Sequence, residues 1–345
     1  MQLIPNNLIG FFDDPLKTLS SVFDDTSLLL LISCVLGLLF IASFIGRMLE
    51  RQTDDRVNIA VVRAFNHRIR AWWLMIAILV VGFYTGKTCT VVLFGLISFW
   101  ALREFITMTP TRRSDHRALF WSFFIITPLQ FVMVGMKEYG LFSTIIPVYA
   151  SLLIPARIAV SNDQKQFLER SAKIQLALLI CVYALSFAPA TLYLELPNSD
   201  NEGARPEGLL FFFVLITQLN DIFQYGWGKL LGDRRVIAPN INARRSWEGF
   251  IGGAATTTLV GALLHSVTPF EYWQAALLSL VVAIMGFFGG MVMSAIKRDR
   301  GVSDFGTLVQ GHAGVLDRID SMCFAAPIFY HVAKAILEHS DKVTG

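Results

Sequence analysis

The chain is short of charge. Asp, Glu, Lys and Arg make up only 16% of its 345 residues, against roughly 25% in ordinary soluble domains. Hydrophobic types account for 54% and the mean hydropathy is +0.55. A water-soluble fold of this length has no interior large enough to hide so much apolar surface, and a disordered chain would need the opposite composition. Neither sign of charge predominates. A net charge of +3 excludes nucleic acid as a partner held by long-range attraction. Cysteine is sparse: Cys34, Cys89, Cys181 and Cys323 lie far apart in apolar stretches without a CxxC pair, so neither a disulfide framework nor a thiolate metal site is expected. A basic segment ahead of the first apolar run is also missing, since Asp13, Asp14, Asp24 and Asp25 outweigh Lys17 there. The first run is therefore expected to remain as a membrane span rather than to be removed as a signal peptide.

What is present is a series of apolar runs bounded by charge, near 27–46, 71–85, 88–102, 118–135, 139–156, 174–192, 209–227, 249–267, 272–296 and 321–337. A spanning helix needs about 20 residues, so the expected fold is an all-α polytopic transmembrane helix bundle of about ten spans. Nine result if 71–85 and 88–102, parted only by Gly86 and Lys87, form one kinked helix. The alternation of basic loops favours a hairpin there. Loops after the first, third, fifth, seventh and ninth runs carry 23 of the 29 Lys and Arg residues. By the positive-inside rule those loops are cytoplasmic and both termini lie on the other side. The segment 193–208 agrees, because Glu195, Asp200, Glu202 and Glu207 outnumber Arg205. The expected organisation is N-terminal spans over 1–205 and a C-terminal catalytic region over 206–345, where polar groups and glycines are embedded in apolar context.

Three features of that region point to chemistry. Asn220-Asp221 interrupts an apolar run, and an ionised carboxylate at such depth usually faces a protein interior or a wet cavity. The plainer alternative is a solvated residue at the cytoplasmic helix end. The segment 228–249 combines Lys229, Arg245, Trp247 and Glu248 with glycines, which suits a phosphate cradle but also an ordinary basic loop, with Ser246 capping the next helix. The densest stretch runs from Ser294, Lys297 and Arg298 through Asp304 and His312 to Asp317, Arg318 and Asp320. If the last helix starts there, Asp317 and Asp320 share a face at i, i+3; they could cap the helix or hold Mg²⁺ against substrate phosphates. His312, between Gly311 and Ala313, is equally readable as a plain turn residue.

Ser294-x-x-Lys297-Arg298, then Asp304, then Gly311-His312-x-Gly314-x-x-Asp317-Arg318-x-Asp320, resembles the signature of the phosphatidate cytidylyltransferase (CDP-diacylglycerol synthase) family. The upstream blocks Asn220-Asp221, Tyr225, Gly228-Lys229, Gly232 and Trp247-Glu248-Gly249 agree. The likeness is clear over about 209–330 and is only hydropathic before that. It implies that CTP and phosphatidate give CDP-diacylglycerol and pyrophosphate at the cytoplasmic face of a bacterial inner membrane, with Mg²⁺ and room for a second cation, in a homodimer. It implies metal ligation by Asp221, with Asp317 and Asp320 either holding metal as well or orienting the Arg318 fork. Lys297, Arg298, Asp304, His312 and Arg318 complete the catalytic set, and Asn220, Tyr225, Lys229, Arg245, Trp247, Glu248 and Ser294 contact substrate.

The chain departs from the family pattern at informative places. Gly289-Gly290 stands where the family usually has Gly-Asp with a metal-binding carboxylate, and Met293 replaces a frequent Glu. Ser303, Gln310 and Ala313 replace the usual Lys, Pro and Gly. Asn242-Ala243-Arg244-Arg245-Ser246 stands for Ser-Pro-x-Lys-Thr, with Arg keeping the charge of Lys but not its geometry. Gly290 leaves alternatives open: a catalytically weak or inactive lipid-binding relative, or cytidylyl transfer to another lipid phosphate. A transporter fits less well, since the polar residues cluster at the ends of the last four runs.

Overall fold

A computed structural model of the chain describes residues 26–51, 66, 69, 72–73, 76–82, 85–109, 111–196, 205–232, 235–302 and 314–344. Nine helices are named here in chain order: α1 (Thr26–Arg51), α2 (Lys87–Met108), α3 (Arg113–Gly135), α4 (Tyr139–Ala159), α5 (Phe167–Tyr193), α6 (Pro206–Leu231), α7 (Trp247–Val267), α8 (Tyr272–Asp299) and α9 (Leu316–Thr344). The protein is an all-α polytopic membrane protein. Among the described residues, the seven helices α2 to α8 are long and apolar enough to cross a bilayer. The apolar core of α1 is shorter, Ile32–Met48, and α9 covers the run at 321–337. The run at 71–85 lies partly outside the described residues, and its described part, 76–82, is helical.

The chain divides into a unit over residues 12–90 and another that contains residues 91–345. In the first, Trp73 Nε1 donates to Ser43 Oγ at 2.9 Å, and Asn66 Nδ2 donates to Glu50 Oε2 at 3.0 Å. The turn at Gly86 is a hairpin rather than a kink. Gly86 takes φ +100°, and a Cβ built on Gly82 would lie 2.7 Å from Thr90 Oγ1. Residues eight apart on one continuous helix would be about 12 Å apart.

In the second unit the helix boundaries follow local chemistry. Pro206 opens α6 at a position with no amide to lose. Gly232, at φ +87°, ends it in the left-handed conformation that a side chain would resist. Ser246 caps α7 by accepting from Gly249 N at 3.2 Å. The segment between α6 and α7 had no strand signal in its sequence, yet it forms an antiparallel hairpin of β1 (Val236–Ala238) and β2 (Asn242–Ser246). Pro239, Asn240 and Ile241 make the turn.

Helices α6 to α9 pack on one another through small residues. A Cβ on Gly253 would lie 2.8 Å from Gln224 N, and one on Gly289 would lie 2.9 Å from the Asp320 carbonyl. These approaches bring α7 onto α6 and α9 onto α8 almost backbone to backbone, as small residues do between helices in lipid. A buried polar lattice then fixes the register. Asn220, wholly buried, donates to the Ala283 carbonyl at 3.4 Å, and its Oδ1 accepts from Gln224 Nε2 at 3.1 Å and Thr257 Oγ1 at 3.3 Å. One amide thereby joins α6, α7 and α8.

A second lock joins the first turns of α3 and α5 and the turn that precedes α5. Arg170 donates to both Asp115 oxygens, at 2.6 to 3.1 Å, to the carbonyls of Asp163 and Lys165, and to Ser114 Oγ. Both charged side chains are buried. Ser114 and the Lys165 amide also hold the Asp163 carboxyl below the usual carboxylate range. Removing one member of a buried ion pair costs about 3–5 kcal/mol, because its partner is stranded, whereas replacing both by apolar groups is close to neutral. Arg170→Met is therefore expected to lower the thermal midpoint of the detergent-solubilised protein sharply, and Arg170→Met with Asp115→Leu to recover most of the loss. Equal midpoints for the single and double variants would show that the pair is not the lock.

Candidate active site

The site is assembled where α6, β2, α8 and α9 meet. Asp221 follows Asn220 on α6, and its carboxylate is partly exposed (31%). Arg245 reaches it from β2: Nη2 donates to Asp221 Oδ1 at 3.2 Å, while Nη1 donates to Gln224 Oε1. The guanidinium carbon stands 5.8 Å from the Phe287 ring centroid, a distance at which a cation is drawn to the aromatic face. From α9, Ser321 Oγ lies 2.8 Å from Asp221 Oδ2 and 3.4 Å from Asp320 Oδ1. A hydroxyl carries one proton, so the shorter contact gives it to Asp221. Asp320 Oδ1 accepts instead from the Ser321 amide at 2.7 Å.

Two carboxylates thus converge on one hydroxyl with a guanidinium beside them. Like charges this close repel, and a cation placed between them offsets the repulsion. The donor set fits a hard divalent cation, since Asp221, Asp320 and Ser321 offer oxygens alone. No cluster of three or more His, Cys, Asp or Glu side chains suited to a metal occurs among the described residues. Such an ion would therefore draw its other ligands from water and substrate phosphates.

The remaining expected residues fall into distinct places. Asp317 does not join this pair. Its Oδ1 meets Lys297 Nζ at 2.8 Å and its Oδ2 accepts from Gly314 N at 3.3 Å, so it holds the lysine and the turn ahead of α9. Ser294 Oγ donates to the Gly290 carbonyl at 2.6 Å and accepts from Asn242 Nδ2 at 3.0 Å, and Arg298 Nε lies 3.4 Å from the Ile241 carbonyl. These contacts dock the β hairpin on the end of α8. Glu248 accepts from Arg235 N at 3.3 Å, and the Arg318 carbonyl accepts from Gln218 Nε2 at 3.2 Å. Tyr225, Lys229 and Trp247 are exposed around the same end of α6 and α7. Asp304 and His312 lie outside the described residues.

Three contributors were not foreseen from the sequence: Gln224, Ser321 and Glu104. Gln224 follows Asp221 by three positions on α6, a spacing that shares its face, and Ser321 adjoins Asp320. Glu104 comes from distant α2. It is buried, and its Oε1 accepts from Val315 N at 3.0 Å while its Oε2 accepts from Leu316 N at 2.8 Å. Trp100 Nε1 donates to Oε1 at 3.1 Å. A carboxylate on the first amides of a helix satisfies orphan donors and suits the positive end of its dipole. Glu104 therefore fixes where α9 starts, and with it Asp317, Arg318 and Asp320. The available signal was a carboxylate directly after an apolar run; its partner, 211 residues away, left none.

Comparison with known proteins places these residues in context. The model of the cytidylyltransferase family matches residues 66–336. Uncharacterized protein YnbB of Escherichia coli strain K12 is 35% identical over 301 residues, covering 87% of this chain and 96% of that protein. Phosphatidate cytidylyltransferases match over a shorter stretch. The one from Synechocystis is 37% identical over 136 residues, 38% of this chain and 46% of its own length. The one from Bacillus subtilis is 32% identical over 140 residues, 40% of this chain and 51% of its own length. The chain thus spans about half the length of those enzymes.

The Glu104 contact yields a local test. Hydrogen bonds to charged groups contribute about 1.5–3 kcal/mol, so Glu104→Ala is expected to raise amide exchange in peptides covering 314–322 by at least about tenfold, measured by mass spectrometry. Unchanged exchange there would remove Glu104 as the anchor of α9.

Proposed function

The chain belongs to the cytidylyltransferase family, whose members are nucleotidyltransferases, and we propose that it transfers the cytidylyl group of CTP to phosphatidate at the cytoplasmic face of a bacterial inner membrane. The observation that carries the reading is the convergence of Asp221 from α6, Asp320 and Ser321 from α9 and Arg245 from β2, all within the residues that the cytidylyltransferase family model matches.

The lipid phosphate is already an anion near neutral pH, so its oxygen needs no strong general base. It attacks the α-phosphorus of CTP; the new P–O bond forms as the bond to the β-phosphate oxygen breaks, and pyrophosphate leaves with the electron pair. The task of the protein is to bring two polyanions together and to offset the charge that gathers on the leaving group. Lys297 is held in place for this by Asp317 at 2.8 Å. Arg298, Arg318 and Lys229 add positive charge at the helix ends around it. Asp221 and Asp320, with Ser321 between them, would hold Mg²⁺, which supplies charge neutralisation at the phosphates. Asn220 and Gln224 keep Asp221 in position through their bonds to α7 and α8. Trp247 and Tyr225, exposed at the helix ends, suit the headgroup level where aromatic residues gather. The outward face of α7, with Ile251, Leu259 and Leu263 exposed, suits contact with acyl chains, which a closed aqueous pocket would strand in water.

The same cations would retain a lipid phosphate without turnover, and an assay with radiolabelled CTP, Mg²⁺ and phosphatidate separates the two outcomes. CDP-lipid is expected from the wild-type protein, and Asp221→Asn and Asp320→Asn are each expected to lower the rate by about 10²-fold or more. Lipid binding with no CDP-lipid formed would make the chain a binding relative. Full activity in Asp221→Asn would displace the metal from that residue.

A further inference from the structure

Gly290 and Arg245 occupy one space. A Cβ built on Gly290 would lie 2.6 Å from Arg245 Nη2 and 3.4 Å from its Cζ. The guanidinium thus fills the volume that any side chain at position 290 would enter. It is held there from several directions. Gln224 takes Nη1, Asp221 takes Nη2 at 3.2 Å, and the Phe287 ring faces the guanidinium carbon at 5.8 Å. The strand that carries it is tied down at the same spot, because Asn242 bonds Ser294 at 3.0 Å and Ser294 bonds the Gly290 carbonyl at 2.6 Å. An arginine keeps its charge at all physiological pH values and holds a carboxylate in a fixed fork.

We propose that Arg245 is the built-in counter-cation of Asp221, standing where a second metal ion would otherwise be needed, and that Gly290 is the residue that makes room for it. The inference rests on the metal-assisted transfer proposed above and deepens it: the Asp221–Asp320 pair would hold one divalent cation, beside a permanent organic cation. The absence of a carboxylate at position 290 is then part of the design. An Asp there would push the far end of Arg245 aside, and the new carboxylate would compete with Asp221 for the guanidinium.

The test is Mn²⁺ binding to the purified full chain in detergent, without CTP or lipid, followed through the electron paramagnetic resonance of free Mn²⁺. Removing the guanidinium frees Asp221 and abolishes repulsion of an incoming dication, so Arg245→Gln is expected to bind Mn²⁺ at least about tenfold more tightly than wild type. Gly290→Asp is expected to tighten binding in the same direction. Adding Asp221→Asn to Arg245→Gln is expected to reverse the gain, which places the extra affinity at Asp221. Unchanged or weaker binding in Arg245→Gln would overturn the role of Arg245. Unchanged binding in Gly290→Asp alone would remove Gly290 from the proposal. Because no substrate is present, these outcomes are independent of the turnover assay, whose failure would instead refute the catalytic reading.

Discussion

An ionised carboxylate on a membrane helix must be neutralised locally, and the arrangement around Asp221 follows from that demand. Water and distant charge give little help at the edge of an apolar bundle, where burying an unpaired ion is costly. The counter-charge has to come from another element and be held there. Arg245 provides it at 3.2 Å, and the protein supports Arg245 in turn. A short β hairpin delivers it, Gln224 and the Phe287 face orient it, and the bare backbone at Gly290 leaves it space. Asp320, brought in with α9, completes an acidic pair that a single guanidinium does not fully offset. The remaining negative charge suits the divalent cation proposed above.

The precision of that pair depends on packing far from it. Helices in lipid gain nothing from hiding hydrocarbon from hydrocarbon, so close backbone approach and hydrogen bonds between helices must hold them. Gly253 and Gly289 allow the first, and the Asn220 lattice supplies the second. Glu104, from α2, pins the first amides of α9. A shift of α9 by one residue would rotate Asp320 and Ser321 about 100° away from Asp221. Glu104 therefore contributes to the site through the start of α9.

Asp317 and Asp320 share a spacing but not a partner. At i, i+3 they belong to the same face of a helix, a spacing that suits two carboxylates on one ion. Position 317, however, lies at the very start of α9, where Lys297 from the end of α8 is near enough to take its carboxylate at 2.8 Å. The two acids are thereby divided, one holding a lysine and the other facing Asp221. Arg245 shows the reverse. Its sequence context marked a cation near phosphates, yet its immediate partner is the carboxylate of its own site.

Composition and apolar run length determined the fold class by themselves, because an excess of apolar surface without charge is stable only in lipid and a spanning helix needs a fixed length. Motif spacing also marked the helix ends where the polar residues gather, since charge inside apolar runs is too costly to occur without a use. The sequence had no means of pairing residues distant along the chain. The Glu104 contact with α9, the meeting of Asp221 with Ser321, and the shared space of Gly290 and Arg245 were decided only in the tertiary structure. Each depends on two backbones approaching to within a few ångströms, and that approach is set by helix packing rather than by local order along the chain.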